Sequence, residues 1–488
     1  MSQVIVIGSG IGSLASALRL KAKGHSVKVF EASDKVGGKL GVYRSNGYRW
    51  DTGPSLFTMP HFVDELFGLF DENPKEFFNY QKQDIVCNYF WEDGTQFSSS
   101  ANVDTFCTEA AKTFNEPREQ IRSYLRKSAV KYDLTASLFL EKSLHKLSTY
   151  ASSKAAKSVF QMGKLDISAT LNKVNETSFT NPKLIQFFNR FATYNGSSPY
   201  KTPGIMSMIP TLEMQFGTFY PRGGMRNIVE SLQQLGERNG VEFKFNEKAK
   251  SIDYTNKIIT GVTTEKGSYN SDFVVSGIDA FYTYTSLLPK LKAPTKTLEQ
   301  EKSSSAIIFY WGIKKTFPQL DLHNIFFSKN YKKEFDAIFD KKTLAQDSTI
   351  YLNISSKADK KDAPEGCENW FVMVNVPTNN GQDWDQIVLE AKKQVIEKLN
   401  RNLKVDLGEL IETEEILDPV KIELKTSSHQ GSLYGSASNS KFSAFLRHPN
   451  FSNQIKGLYF CGGSVHPGGG IPLCIKSGQI VADLIPDA

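Results

Sequence analysis

The stretch "SQVIVIGSGIGSLASALRLKAKGHSVKVFEAS", residues 2 to 33, constrains the fold more than any other part of the chain. Val4 to Ile7 is an apolar run of the kind that forms a fully buried strand. Gly8, Gly10 and Gly12 follow as a tight turn, with Ser9 and Ile11 between them. Leu14, Ala17, Leu18 and Leu20 then recur on one helical face, and Gly24 stops that helix before the strand Val27 to Phe30. Glu31 ends the second strand, 23 residues after Gly8. In a unit of this kind the bare turn and the helix N-terminus hold a dinucleotide pyrophosphate, and the acid takes ribose hydroxyls. Ser13 stands where a third glycine is expected; a residue this small still lets helix and strand pack closely.

Near the other end, "CGGSVHPGGGIPLC" (461–474) repeats the theme. Leu458 to Cys461 reads as a short buried strand, and Gly462, Gly463 and Ser464 as a turn. Pro472 sits early in a helix running to about Ile485, where its missing N–H costs nothing. Gly468 to Gly470, just ahead of Ile471, leave N–H groups and the positive end of a dipole open to a ligand.

Between the two ends, "YPRGGMRNIVESLQQLGERNGVEFKFNEKAKSI" reads as a Gly turn, an amphipathic helix and a strand, and "SDFVVSGIDA" (271–280) as another strand. The stretches 303–313 and 368–377 alternate like strands of a second sheet. Segment 119–165 is expected to be helical and basic. It carries Arg122, Arg126, Lys127, Lys131, Lys142, Lys146, Lys154, Lys157 and Lys164, with Leu134, Leu138, Phe139, Leu144 and Leu147 as its apolar face. Such a pattern suits an anionic bilayer surface or an ordinary solvated helix face.

Composition narrows the chemistry. At roughly 150 residues per domain, 488 residues imply two or three domains. A 12% aromatic content, with 34 Phe, suits a large core and an apolar ligand cavity. The net charge of +6 permits attraction to anionic lipid or phosphate and is no nucleic-acid signature. Five scattered cysteines without a CxxC pair point to a reducing compartment. The chain opens directly on "VIVIGSG" and has no run of eighteen apolar residues, so the expectation is a cytoplasmic protein without a spanning helix. The seven histidines show no metal-ligand spacing, and nucleophile elbows and P-loops are missing. No metal is expected, and catalysis falls to a cofactor.

The segment after Glu31, E-x5-GG-[RK] followed by "DTGP" at 51–54, resembles the FAD-binding start of the amine oxidase and phytoene desaturase superfamily. "HPGGGIP" after "YFCGG", with "FYPRGGM" (219–225), "LHNIFFSKNYKKEFDAIF" (322–339), "APEGCENWFVMV" (363–374) and "GSLYGSASN" (431–439), is similar to the bacterial-type carotenoid desaturase (phytoene desaturase) family. The likeness extends to its hydroxycarotenoid 3,4-desaturase branch and runs in order along nearly the whole chain. It implies an α/β fold: a Rossmann-like FAD-binding domain with an inserted mixed-sheet and helical substrate domain. The first would be built from residues 1–85, 215–298 and 420–488, the second from 86–214 and 299–419.

The resemblance also implies a site. FAD would lie on Gly8, Ser9, Gly10, Ile11, Gly12, Ser13, Glu31, Ala32, Gly38, Lys39, Gly53, Pro54 and Ser55, with Lys39 near the phosphates. The backbone of Ala249 would meet adenine, and Gly463, Ser464, Gly470, Ile471 and Pro472 the flavin. His466 is the candidate catalytic group, the alternative being a strut that orders the Gly loop. Tyr434 and Arg447 are candidates to meet a substrate's polar end or to close its cavity, structural roles being the alternative. The implied activity is hydride transfer from a long acyclic carotenoid to flavin N5, creating a C=C bond. The substrate would come from the bilayer through peripheral contact, and oxygen or a quinone would take the electrons. Alternatives are an amine or protoporphyrinogen oxidase, a redox-neutral carotenoid isomerase, and a non-enzymatic lipid-binding escort such as the Rab GDP-dissociation inhibitors.

Overall fold

A computed structural model of the chain describes residues 1–146, 149 and 165–488, with the side chains of 137 and 138 excepted. Five parallel strands form one sheet, in the spatial order Leu458–Phe460, Phe273–Ser276, Gln3–Ile7, Ser26–Phe30 and Glu242–Lys244. Both faces are covered, which is why the central strand is the apolar run Val4 to Ile7, while the edge strand Glu242–Lys244 keeps charged residues. Val4, Val6, Val27, Val29 and Val275 pack with Ala17 and Leu20 of the first helix (Ile11–Ala22) and with Val481 and Ala482 of the last (Ile471–Leu484). Ile5, Ile7, Val274 and Phe460 turn the other way, onto Ala249, Ile252, Ile259 and Val262 of a three-stranded antiparallel sheet.

The first and last helices cross at backbone distance. A Cβ on Gly478 would come within 2.5 Å of the Gly12 carbonyl oxygen, and one on Gly12 within 3.1 Å of the Cys474 carbonyl and of Gly462. Ser13 is accommodated by its neighbour: Gly277 leaves vacant the space its hydroxyl fills, since a Cβ there would meet Ser13 Oγ. The glycine missing at position 13 is thus supplied from another strand.

The second sheet has seven strands, in the order Ile411–Leu417, Ser305–Ile313, Glu368–Val376, Ile350–Ile354, His323–Phe326, Ile85–Phe90 and Gln96–Ser100. All pairings are antiparallel except that between His323–Phe326 and Ile85–Phe90. One face, with Trp311, Trp370, Leu352 and Val372, is covered by helix Trp384–Leu403 through Ala391, Val395 and Leu399. The other, with Ile308, Tyr310 and Phe371, receives Tyr48 and Trp50 from the hairpin Val42–Ser45/Tyr48–Asp51. On this front face Tyr351 and Met373 are only half-buried, although both point into the molecule. A helical layer with a phenylalanine-rich core (Phe106, Phe114, Phe179, Phe187, Phe188, Phe191) adjoins its edge.

The basic segment departs from expectation. Its helix runs Arg118–Phe139, and residues 141–146 hold only turns. Lys131 is buried, 2.6 Å from Asp166 and donating to Ser207 Oγ at 2.6 Å, so it belongs to no surface stripe. Arg122 is ion-paired to Asp104. Arg126, Lys127, Lys142 and Lys146 are exposed; Leu147, Lys154, Lys157, Lys164 and the side chain of residue 138 lie outside the described residues. Among the described residues, no helix is long and apolar enough to cross a membrane.

The helix crossing makes a direct prediction. Gly478→Ala, which would stabilise an ordinary helix interior, should instead destabilise this protein by about 1–3 kcal/mol through overpacking. Denaturant unfolding of the two proteins measures the difference.

Candidate cofactor site

The first helix begins without a side-chain cap. Gly10 is its N-cap residue, no side chain bonds the first N–H groups, and nothing lies within 4 Å of where a Gly10 Cβ would stand. Open space therefore faces a positive helix end. Glu31 flanks the turn: its Oε2 accepts from Ser9 N–H (2.9 Å) and Ser9 Oγ (2.6 Å), and its Oε1 from Ser33 N–H (2.9 Å). Ala32 beside it is exposed. The second glycine pair closes on the first loop, with Gly37 N–H donating to the Ser9 carbonyl at 3.0 Å and Gly38 lying against Gly10. Ala249 opens a strand beside this end of the sheet and is buried against the Ile5–Phe30 face.

The last helix begins in the same way. Gly470, with φ +113°, is its N-cap, no side chain caps it, and the space where its Cβ would stand is again open. Pro472 occupies the first turn, and Ile471 is buried. Ser464 Oγ accepts from Ala280 N–H at 3.0 Å, tying the loop to the end of strand Phe273–Ser276. Gly463 backs onto Gly469, and Tyr434 covers Gly469 so closely that a Cβ there would fall 2.8 Å from Tyr434 Cα. The two open glycine termini stand at the ends of the helices that cross at Gly12 and Gly478. Two phosphate- or ring-sized cradles on one crossing are what a dinucleotide with an anion-accepting second half requires.

Charge is concentrated at the second cradle. Arg447 is buried against Gly468 and donates to the Tyr434 carbonyl (3.1 Å) and Ser438 Oγ (3.4 Å); burial holds its guanidinium down to about 10. Lys39 donates to the carbonyls of Leu433 (2.7 Å) and Ser432 (3.2 Å), with its amine pushed down by burial and supported by Asp279. The same carboxylate supports Lys302, whose amine burial also pushes down. Lys39 thus reaches toward the C-terminal loop. Its carbonyl in turn fills the space beside Gly53, where no side chain fits. Pro54 and Ser55 continue along this wall, half-buried.

His466 belongs to the frame rather than to the open space. It is fully buried, Nε2 donates to the Lys142 carbonyl at 3.0 Å, and its ring stands edge-on to Phe139 with centroids 5.2 Å apart. Its carbonyl accepts from Asn450 Nδ2 (2.7 Å) and Ser477 Oγ (2.9 Å), and the peptide to Pro467 is cis. Burial pushes its pKa down to about 4.

Sequence reading missed a second frame. Asp51, buried, accepts from the backbone N–H of Met225 (3.1 Å) and Arg226 (3.3 Å) and from Arg49 Nη2 (2.7 Å). Arg49 also pairs with Asp362 at 3.2 Å and lies so close to Gly224 that a Cβ there would clash with it. The "DTGP" and "YPRGGM" motifs are therefore two sides of one buried ion cluster. Their shared glycine-and-charge character was the available signal; the pairing itself was not readable.

Acid stability tests the placement of His466. Its folded pKa lies below the unfolded value of 6.5, so only the unfolded chain takes the proton between pH 6.5 and about 4. Stability is full above pH 6.5 and falls by about 3 kcal/mol from this group as pH drops through that window. His466→Gln should be less stable than the parent at pH 7, with the gap narrowing toward pH 4.5 in urea unfolding curves.

This geometry matches known proteins along the whole chain. The family profile of the flavin containing amine oxidoreductases covers residues 14–486. The chain is 56% identical over 487 residues to the 1-hydroxycarotenoid 3,4-desaturase of Flavobacterium sp. (strain P99-3), covering 100% of this chain and 99% of that one. It is 31% identical to the 4,4'-diapolycopene oxygenase of Methylomonas sp., over 99% and 98% of the two chains. The phytoene desaturase of Fusarium fujikuroi is likewise 31% identical, over 99% and 89%. Among solved structures, an oxidoreductase from Methanosarcina mazei superposes with a TM-score of 0.65 at 14% identity, over 99% and 100% of the chains. Putrescine oxidase bound to putrescine does so at 0.63 and 14%, over 99% and 98%. The structural likeness is one of fold; the family profile and the end-to-end identity go further, and the chain belongs to the flavin containing amine oxidoreductase family, as an oxidoreductase.

Proposed function

We propose that this protein is an FAD-dependent carotenoid desaturase that forms the 3,4 double bond of an acyclic 1-hydroxylated carotenoid. The observation that carries the substrate class is the 56% identity, over the full length of both chains, to a 1-hydroxycarotenoid 3,4-desaturase. FAD is favoured because open glycine termini lie on two helices that cross, with an acid, Glu31, beside the first. Gly8 to Ser13, with Glu31 and Ala32, would hold the ADP half, and Ala249 would meet adenine. Gly463, Ser464 and Gly470 to Pro472 would face the flavin, with Gly38, Lys39 and Gly53 to Ser55 along its flank. The cofactor, when bound, accepts the hydride.

The chain's own contribution is position, polarity and dryness. Buried Arg447 and half-buried Lys39 and Lys302 would bring three cations to the flavin end, with the Asp279 carboxylate among them, and the last helix adds its positive terminus. Negative charge developing there is stabilised without a proton donor. In this reading the half-buried Tyr351 and Met373, paired on the front face of the seven-stranded sheet, would line the slot that holds a polyene clear of water. His466 takes no catalytic part in this reading. Oxygen or a quinone reoxidises the enzyme.

An apolar C40 substrate favours peripheral membrane contact at the cytoplasmic face. Exposed Arg126, Lys127, Lys142 and Lys146 adjoin exposed Val130, and the short helix Lys441–Phe445 presents Phe442 at 74% exposure. Phe445 of that helix packs on Phe139, which places the apolar spot beside the basic one. Phe442→Ser combined with Lys142→Glu and Lys146→Glu should reduce co-sedimentation with anionic liposomes severalfold; unchanged binding would sink this docking face.

The activity is tested by incubating the purified flavoprotein with a 1-hydroxylated acyclic carotenoid, with the corresponding chain lacking the hydroxyl, and with amines. The expected result is a red shift of the polyene spectrum, largest for the hydroxylated chain. Hydrogen peroxide formed from amines, or isomerisation without added unsaturation, would overturn the proposal.

A further inference from the structure

The front face of the seven-stranded sheet carries a hydroxyl chain beside the proposed flavin end. Pairing of His323 with Asn353 and of Ile325 with Tyr351 sets these side chains on neighbouring rungs. The Tyr351 hydroxyl lies 2.7 Å from Ser55 Oγ and 2.8 Å from His323 Nδ1. Asn353 Nδ2 lies 3.3 Å from the same Nδ1 and donates to the Leu322 carbonyl at 3.0 Å. An amide nitrogen only donates, so the Asn353 contact assigns Nδ1 as an acceptor and puts the ring proton on Nε2, a buried atom that makes no hydrogen bond of its own among the described residues. Tyr351 therefore donates to His323, and Ser55 donates to the phenol oxygen, which keeps one lone pair free. His323 and Asn353 are buried, whereas Tyr351 is half-buried and is the member of the chain that would face the proposed substrate slot.

Position makes this chain relevant to the chemistry. Ser55, which bonds the Tyr351 hydroxyl, directly follows "DTGP", the motif placed along the flavin's flank in the desaturase reading. In 3,4-desaturation of a 1-hydroxylated chain, two bonds separate the hydroxyl-bearing carbon from the nearer reacting carbon. Whatever holds the hydroxyl must then adjoin the flavin's reacting edge. The Glu213 carboxylate, by contrast, is already engaged, since both of its oxygens accept from Arg190 Nη2 (3.0 and 2.9 Å) and Tyr194 bonds the first of them.

The geometry points to Tyr351 as the residue that selects hydroxylated substrates, its free lone pair accepting the O–H of the substrate's terminal hydroxyl. His323 is a positioning residue that turns the phenol proton away from the slot. This assignment rests on the desaturase reading above and adds the group that recognises the polar end.

The experiment compares kcat/KM for a 1-hydroxylated carotenoid, its 1-methoxy ether and the unsubstituted chain, using holoenzyme with flavin content measured for each variant. In the parent enzyme the ether, which has lost the O–H, should fall toward the unsubstituted chain. Tyr351→Phe keeps the ring, stacked on His323 at 6.1 Å between centroids, and should reduce the preference for the hydroxylated chain about tenfold. The ether and Tyr351→Phe should be non-additive in a double cycle. His323→Leu should lower the same ratio, and His323→Gln, which keeps an acceptor, should restore part of it. Undiminished selectivity in Tyr351→Phe, or an ether handled as well as the alcohol, would overturn the assignment alone. If Tyr351→Phe loses flavin, the ether comparison on the parent enzyme decides. A parent enzyme that desaturates none of the three would overturn the desaturase reading, and this assignment with it.

Discussion

The contact on which the structure depends is the crossing of the first and last helices at Gly12 and Gly478. It brings together chain ends separated by some 450 residues, at a distance that tolerates no side chain. Each helix starts from an uncapped glycine facing open space, so the crossing sets the distance between the two cradles. Gly277 belongs to the same arrangement, since it accepts the Ser13 hydroxyl and leaves the approach of helix to sheet undisturbed. A substitution at any of these points acts on the cofactor site through geometry, without touching a ligand.

Charge around the second cradle follows from burial. Surface lysines and arginines are balanced by water and nearby carboxylates, whereas Lys39 and Arg447 rest on backbone carbonyls in a dry region. Isolated buried cations are costly, and the depressed values of both groups reflect that cost. The Arg49, Asp51 and Asp362 cluster is balanced differently, one guanidinium being shared by two buried carboxylates that also accept from backbone N–H groups and hydroxyls, and it serves as a rigid joint between the first segment and the helix Asn227–Arg238.

Much of this was legible beforehand because it is local. Val4 to Ile7, the glycines at 8, 10 and 12, and Glu31 are contiguous, and the strand–turn–helix–strand unit follows from their spacing. The strands at Ser305–Ile313 and Glu368–Val376 were equally visible from alternation, as was the helix start at Gly470. The basic segment was not, because counting charges cannot tell Lys131, held beneath Asp166 and Ser207, from its exposed neighbours. The two readings of His466 stayed open for a related reason: proximity to the glycine loop in sequence says nothing about which way a ring points, and this one points to the Lys142 carbonyl.

The sequence by itself determined the local units: which segments are strands, and where two helices begin on bare glycine, one near each end of the sequence. Those follow from steric freedom and apolar periodicity over a few residues. Only the tertiary structure decided which distant groups meet. Lys39 with Leu433, Ser13 with Gly277, Asp51 with Met225, and Tyr351 with Ser55 and His323 are pairings made by sheet register and helix crossing. Register is a property of the packed chain, since one residue of slip turns every side chain to the opposite face.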